Sequence, residues 1–573
     1  MTTLNEQQIN ENKDSENTSS LGINKDQIQE EKKENENEKQ EEEKQEKKKE
    51  IEKENINNRE IEKENEEQEK GNHENEKEEQ EEEKQEEEKK EEKQEEQEKE
   101  EEEKEKEKEE EEKEEEEKEK EEEEEEDLSS VQVGEEDLKK KAENFNQQIS
   151  QFRGRRYQKH EEEGIHDEKW RNHKKHYLVL TQAGKPIYTR YGSDSKLSSF
   201  ICVPQALVAF VIDLGDEIKC LKADKHNIVF DIRGPIILVC VSKLDESTEQ
   251  IKKQLKYLHS QIIFFLSIRG TEMLNDRPHL DLRSYLGGTT KFFDSLIHRM
   301  NSYDFITDSI KYLKLKPSIR EKVASALRET KFKFLRFAIL LTDSGIIHLT
   351  QTKKKPISTH DLFLLQNFSQ DPAFRPNEIW SPLCLPDYNS KAFVHAYLNY
   401  IDKKQKICLL LISLDPTGFM DLKTQSEKVV KTLTQDGTLD KISHTLEKTE
   451  SLSVKSLKIK KLRHFIYKNR ENNQCFTMKP ALPYTLKSER KRLYTLYKTT
   501  RSGLLLDSKI QNKQYSSTSE KEVLIATITD DYELYTVFHP LISKNEAIEG
   551  EVQVLNWIKK NEESLFSHNI QFW

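Results

Sequence analysis

The chain has 573 residues, with 94 Lys and Arg, 112 Asp and Glu and a formal net charge of -18. That average conceals two polymers: residues 1–170 hold 69 acidic and 33 basic side chains, a net of -36, while 171–573 hold 43 acidic and 61 basic, a net of +18. The first part has too little apolar surface to build a core, and the second, at roughly 400 residues, exceeds one ordinary core, so two or three domains are expected.

Residues from about 29 to 127 are almost entirely Glu, Lys, Gln and Asn. Such a segment cannot offset its ordering entropy, so 1–165 reads as a disordered low-complexity region. A solvated single helix laced by Glu to Lys pairs four apart is the alternative. No apolar seam repeats every 3.5 residues, which argues against a coiled coil. The opening MTTLNEQQIN lacks the basic and apolar regions of a signal peptide. No apolar run approaches the roughly 18 residues that span a bilayer, so peripheral membrane association is expected. Cys202, Cys220, Cys240, Cys384, Cys408 and Cys475 form no CxxC pair and are expected to be buried, reduced thiols.

The first folded segment starts near Lys175 and is placed at 172–300. His176 to Gln182 reads as a buried strand, Ala183-Gly184-Lys185 as a tight turn, and Pro186 to Tyr191 as a second strand. Ser193-Asp194-Ser195 offers helix caps before Leu197, Phe200, Ile201, Pro204, Leu207, Val208 and Val211 at helical spacing. Pro204 predicts a kink or a later helix start. Strands follow at Glu217 to Lys222, Asn227 to Arg233 and Pro235 to Ser242. An amphipathic helix from Ser247 to Ser267 closes the unit, with Ile251, Leu255, Leu258, Ile262 and Leu266 on its apolar stripe. A five-stranded antiparallel meander with helices on its faces is the economical solution.

The pattern recurs at 330–440. Phe334 to Thr342 and Ile346 to Thr350 form a hairpin and Asp361 to Phe368 a short helix. Pro382 to Leu385, Ala392 to Ile401 and Lys406 to Leu414 are strands, and Gly418 to Thr434 is helical. A more diverged copy occupies 455–573. Its strands are Leu462 to Tyr467, Gln474 to Met478, Val523 to Thr529 and Glu533 to Phe538. Its helices are Glu489 to Thr500 and Glu551 to Lys560.

Separated motifs resemble one family, in order. They are KHYLVLTQAGKPIYTRYGSDSKLSSFICVPQALVAFV, RGPIILVCVSKLDES, QLKYLHSQIIFFLS and DLRSYLGGTTKFFDSLI in the first copy, IWSPLCLPDYNSKAFVHAYLNYI and ICLLLISLD in the second, and LRHFIYK, ELYTVFHPL and VLNWIKKNEESLF in the third. The body resembles the Mon-one (Sand-type) vacuolar fusion proteins. The resemblance implies an α+β chain of three longin/roadblock-like domains, each a five-stranded antiparallel sheet flanked by helices. It implies pairing with a Ccz-one-type sister subunit. It implies non-catalytic action as a guanine-nucleotide exchange factor on a Rab-seven-type GTPase, with a possible upstream early-endosomal Rab as further partner. It also implies a cytoplasmic protein bound peripherally to late-endosome and vacuole membranes. A longin-type adaptor or tether that binds a GTPase without exchange is the alternative reading.

The resemblance puts the GTPase surface in the first domain. Within it, the helix and hairpin offer Lys185, Pro186, Tyr188, Tyr191, Leu197, Ser198, Phe200, Ile201, Val203 and Gln205. Leu197, Ile201 and Val203 read equally as core positions, and Tyr188 and Tyr191 as a shared face covering the sheet. The excess of positive charge suggests an anionic, phosphoinositide-containing membrane, through Lys353, Lys354, Lys355, Lys458, Lys460, Lys461, Arg463, Arg490, Lys491 and Arg492. Solvated basic faces are the alternative. No aromatic stacking motif supports nucleic acid. His160, His166, His173 and His176 are near in sequence, but no completed metal-ligand motif accompanies them. No phosphate loop, nucleophile elbow or zinc-protease helix is present, and no cofactor is expected. Gly287-Gly288-Thr289 reads as a helix stop followed by a new cap.

Overall fold

The computed structural model describes residues 162–573, apart from 331, 403, 405, 507–511, 568–570 and 573. The expectation of disorder over 1–165 therefore lies outside the described residues, except at its last few positions. There Ile165 packs against the first domain and the Gly164 amide donates to Asp167 at 2.6 Å.

The first sheet contains β1 (Lys175–Thr181), β2 (Pro186–Thr189), β3 (Cys220–Ala223), β4 (His226–Arg233) and β5 (Ile236–Ser242). Helix α1 (Glu168–Asn172) precedes it, and α2 (Asp194–Asp213) joins β2 to β3. The strand order is β2-β1-β5-β4-β3, all antiparallel. The expected meander is thus only partial: β3, β4 and β5 meander, and β5 then pairs with β1 at the centre. Side chains alternate as a pleated strand requires. Leu178 and Leu180 face α2, whereas Tyr177 and Val179 face the opposite side. Helix α2 runs unbroken past Pro204, so the expected later start fails.

Helix α3 (Thr248–Asp276) follows, extended beyond its expected end, with Ser267 in a non-helical conformation at a kink. It was expected to be amphipathic, yet Ile251, Leu255, Tyr257, Leu258, Ile262, Ile263, Phe264 and Phe265 are all buried. A helix buried on most sides must be enclosed by more than one layer. Here its apolar core is continuous with Val179 and Leu238 of the first sheet and with Ile339 and Leu410 of the second.

The connection holds α4 (Leu282–Tyr285), α5 (Thr290–Arg299), α6 (Tyr303–Thr307), β6 (Ile310–Lys311) and α7 (Pro317–Arg328). Gly288 has φ 72, and Thr289 precedes α5 as expected but does not cap it with its side chain, the hydroxyl donating to the Leu286 carbonyl at 2.5 Å instead. The second sheet contains β7 (Leu335–Thr342), β8 (Gly345–Gln351), β9 (Ile379–Leu385), β10 (Ser390–Tyr400) and β11 (Ile407–Ser413). Its helices are α8 (Thr359–Ser369), α9 (Pro386–Asn389), α10 (Phe419–Gln435) and α11 (Thr438–Ser451).

The third sheet contains β12 (Leu462–Asn469), β13 (Gln474–Thr477), β14 (Lys513–Thr518), β15 (Val523–Ile528) and β16 (Tyr532–Phe538). Helix α12 (Lys487–Leu506) covers one face through Leu493 and Tyr497, and α13 (Lys544–Lys560) covers the other through Val554 and Ile558. Strand β14 has no counterpart in the sequence reading, because its residues are mostly exposed and polar and carry no apolar alternation.

Two short strands link these sheets. β6, from the connection after the first domain, pairs in parallel with β13. β17 (Gln571–Phe572), after α14 (Glu562–Leu565), pairs in parallel with β8. The second and third sheets therefore have six strands each, one more than expected. All three domains belong to one compact unit.

Candidate functional site: an apolar helix face and an exposed edge strand

Leu197, Ile201, Pro204 and Val208 form the buried stripe of α2. They seat on Leu178, Leu180, Phe230 and Val239 of the sheet. The spacing of three, four and seven residues places them on one side of an α-helix. The opposite side faces water and is also apolar. Val203 is 55% exposed and Phe210 63%, with exposed Cys202, Ala206 and Ala209 between and beside them. Ile212 and Leu214 extend the patch past the helix end. An exposed contiguous apolar patch is the usual mark of a docking surface.

By length and composition α2 is also apolar enough to cross a membrane, with a mean hydropathy of 1.6. The sequence reading sought an unbroken apolar run and so passed over α2, which Ser198, Ser199 and Gln205 interrupt. The stripe that keys α2 to the sheet accounts for one side of its apolar character; the outward side is left exposed by the described residues.

Beyond α2 lies β3, whose four residues are all exposed. It pairs with β4 along one edge and ends the sheet on the other. An edge strand carries main-chain donors and acceptors that another strand can use. The helix face and the strand edge thus offer two complementary kinds of contact in one domain. Cys202 and Cys220 lie on these exposed elements, contrary to the expectation of burial for all six thiols. Burial pushes the Cys240 and Cys475 thiols up to about 12.

The remaining candidate residues divide between structural and surface positions. Leu197 and Ile201 are core, whereas Val203 is not. Phe200 is half-buried, edge-on to Trp170 at 5.2 Å. Ser198 is exposed. Tyr188 and Tyr191 do not share a face. Tyr188 is buried on the α5 side, stacking on Phe293 and donating to Asp294 at 2.6 Å. Tyr191 packs on the α2 side and stacks on His173 at 3.6 Å. The strand ends at Thr189, so Tyr191 lies beyond it, and even in a continuous strand residues three apart would point to opposite faces. Pro186 begins β2 and is half-buried. Lys185 reaches the His279 carbonyl. Gln205 donates to the Gln182 carbonyl at 3.2 Å, tying the helix to the hairpin turn.

His173 is held by Glu163 at 2.7 Å, and burial lowers His176 to about 4. Among the described residues no group of three His, Cys, Asp or Glu could hold a metal ion. His160 lies outside them.

The basic candidates occupy two regions. Lys353, Lys354 and Lys355 are exposed in the loop after β8. Lys458, Lys460, Lys461 and Arg463 precede or begin β12, while Arg490, Lys491 and Arg492 lie in α12. The last two groups converge on the start of β15: Arg463 donates to the Lys521 carbonyl at 3.0 Å and Arg492 forks onto Glu522. Lys460 and Lys461 pair with Glu546, so part of this charge is internally neutralised.

The patch on α2 and β3 had a legible signal: an apolar helix whose polar face is missing. The ion pairs Lys498–Glu246 and Arg501–Asp308 had none, because their partners lie 252 and 193 residues apart in sequence.

Family comparisons match all three domains. The first, second and third longin domains of FUZ, MON1 and HPS1 match residues 175–296, 333–431 and 461–562 respectively. Vacuolar fusion protein MON1 homolog A of Gallus gallus is 34% identical over 409 residues, covering 71% of this chain and 74% of the relative. Protein SAND of Takifugu rubripes is 34% identical over 410 residues, covering 71% and 78%. Vacuolar fusion protein MON1 homolog of Oryza sativa subsp. japonica is 32% identical over 445 residues, covering 72% and 78%.

Proposed function

Because the chain belongs to the MON1/SAND family of vacuolar fusion proteins, we propose that it is one subunit of a heterodimeric guanine-nucleotide exchange factor for a Rab-seven-type GTPase of late endosomes and vacuoles. Its longin architecture and family make it a trafficking protein of non-catalytic type. The observation that carries the finer reading is the water-facing apolar side of α2, in the same domain as β3, which is an edge strand among the described residues. A Ccz-one-type sister subunit would use that edge by adding a strand and cover Val203 and Phe210 with its own apolar side chains. The composite surface then meets the GTPase.

Exchange requires no bond chemistry. A factor that binds the nucleotide-free GTPase more tightly must, by linkage, weaken nucleotide binding by the same factor. Picomolar nucleotide affinity corresponds to about 16 kcal/mol, so an extensive interface is needed to offset a useful part of it. Broad apolar contact suits that task better than a single polar group. The basic surfaces at 353–355, 458–463 and 490–492 support contact with a phosphoinositide-containing membrane at about 1 kcal/mol per well-placed cation. An early-endosomal Rab upstream is part of the same proposal.

The test is release of a fluorescent guanine nucleotide from a late-endosomal Rab, with the chain alone, with the sister subunit, and with a Phe210→Asp variant. Accelerated release by the pair, lost in the variant, supports exchange. Stable GTPase binding with no accelerated release favours the adaptor or tether reading.

A further inference from the structure

Glu246, before α3, accepts an ion pair from Lys175 of β1 and another at 3.3 Å from Lys498 of α12. Nearby, Asp308 pairs with Lys253 of α3 and, at 3.0 Å, with Arg501 of α12. Arg501 continues to Glu533 at 2.7 Å, and Lys468 approaches that carboxylate at 3.7 Å. The network runs from the first domain, through the connection, into the third. It joins the five cations Lys175, Lys253, Lys468, Lys498 and Arg501 to the three carboxylates Glu246, Asp308 and Glu533.

An excess of two positive charges at a partly dry interface is costly, since each buried ion must recover its lost hydration from a partner. Burial lowers Lys253 to about 8, and it also lowers Lys468 and Lys498.

A cavity of about 270 Å³ opens against this network, lined by Gln250, Lys253, Phe305, Asp308, Lys498 and Arg501. Its floor includes the first turns of α3, whose backbone dipole favours an anion. Gln250 helps wall the cavity, its amide nitrogen donating to the Lys498 carbonyl across the two helices. Glu249, exposed at the rim, is the other carboxylate lining the cavity.

We propose that this cleft between α3 and α12 binds a compact phosphate-bearing anion, which pins the first domain to the third. In its lining Lys253, Lys498 and Arg501 outnumber Asp308 and Glu249, so the cleft carries a net positive charge that suits a phosphate group. Cations from both domains line the cleft, so its occupancy opposes their separation. The site is independent of the exchange activity and of the α2–β3 surface.

The experiment titrates the purified full chain with inorganic phosphate and with soluble inositol trisphosphate, reading heat of binding and thermal midpoint. Phosphatidylcholine vesicles, with and without phosphatidylinositol phosphate, form the lipid arm. Lys253→Met is expected to weaken binding at least tenfold. Glu249→Gln, at an exposed position that leaves the fold intact, is expected to tighten it about threefold by removing a like charge. Binding of free phosphate compounds with this pattern supports the site and assigns a soluble source. Binding confined to the phosphoinositide vesicles with the same pattern supports it and assigns a lipid source. No binding, or binding that Glu249→Gln leaves unchanged, overturns the proposal and leaves a water-filled cleft.

Discussion

Glu246 and Lys498 lie 252 residues apart in sequence and form an ion pair at 3.3 Å, with side chains 1% and 7% exposed. One belongs to the first domain and the other to the third. Their pairing holds the two together across an interface where a lone charge is far costlier than a pair.

Replacing Glu246 by Ala strands Lys175 and Lys498 without their shared carboxylate. The expected loss is about 3–5 kcal/mol, read from urea unfolding at neutral pH. The pH dependence follows from the same pair. Burial alone would raise the Glu246 pKa, but Lys175 and Lys498 bring it down from 4.5 to about 2. The folded state therefore favours the ionised form. Its contribution is present above pH 4.5 and is lost as pH falls toward 2. Wild-type stability should drop more steeply over that window than that of Glu246→Ala. Parallel curves would refute the assignment.

Phe210 is 63% exposed on α2, so Phe210→Asp removes no core contact. The thermal midpoint should stay within about 2 °C of wild type, as for an ordinary surface change. Affinity for the sister subunit should fall roughly 30-fold, the effect of losing an interface anchor near 2 kcal/mol. Surface-immobilised titration checks this. Unchanged affinity would move the interface elsewhere.

Leu197 and Val203 share one helix but have opposite fates, at 0% and 55% exposure. Leu197→Ala should cost about 2–5 kcal/mol through cavity formation. Val203→Ala should cost under about 0.5 kcal/mol. Chemical denaturation of both variants separates them, and equal losses would contradict the orientation of α2.

Gly184 has φ 78, and a Cβ there would stand 2.2 Å from the Gln205 carboxamide oxygen. Gly184→Ala should cost about 1–2 kcal/mol, partly from the backbone and partly from displacing Gln205 off Gln182. In a Gln205→Ala background the same change should cost less, because no side chain must move. A double-mutant cycle measures the difference, and strict additivity would rule out the contact.

The hairpin β1–β2 was legible because Leu178, Leu180 and Val179 alternate in a hydrophobic run and Gly184 marks the turn. Helix α2 was legible from the spacing of Leu197, Ile201 and Val208. Repetition of that grammar, with the family resemblance, established three longin domains. Periodicity records that a side chain is buried, but not what buries it. For that reason α3 read as a one-sided helix, although two sheets enclose it.

Tyr188 and Tyr191 face opposite ways because β2 ends at Thr189 and the chain turns before Tyr191, although the three-residue spacing alone already argued against a shared strand face. The two-residue strands β6 and β17 are too short to leave a pattern and exist only because a neighbouring sheet edge accepts them.

The sequence by itself determined the elements, their order and the domain type, since local spacing fixes which side of each strand or helix must leave water. Only the tertiary structure decided which faces stay uncovered and which charges meet. Val203 and Phe210 remain exposed because no other described element crosses that side of α2. Lys498 finds Glu246 because folding brings distant segments within a few ångströms, and the strength of such a pair depends on distance and burial, neither of which is written in sequence order.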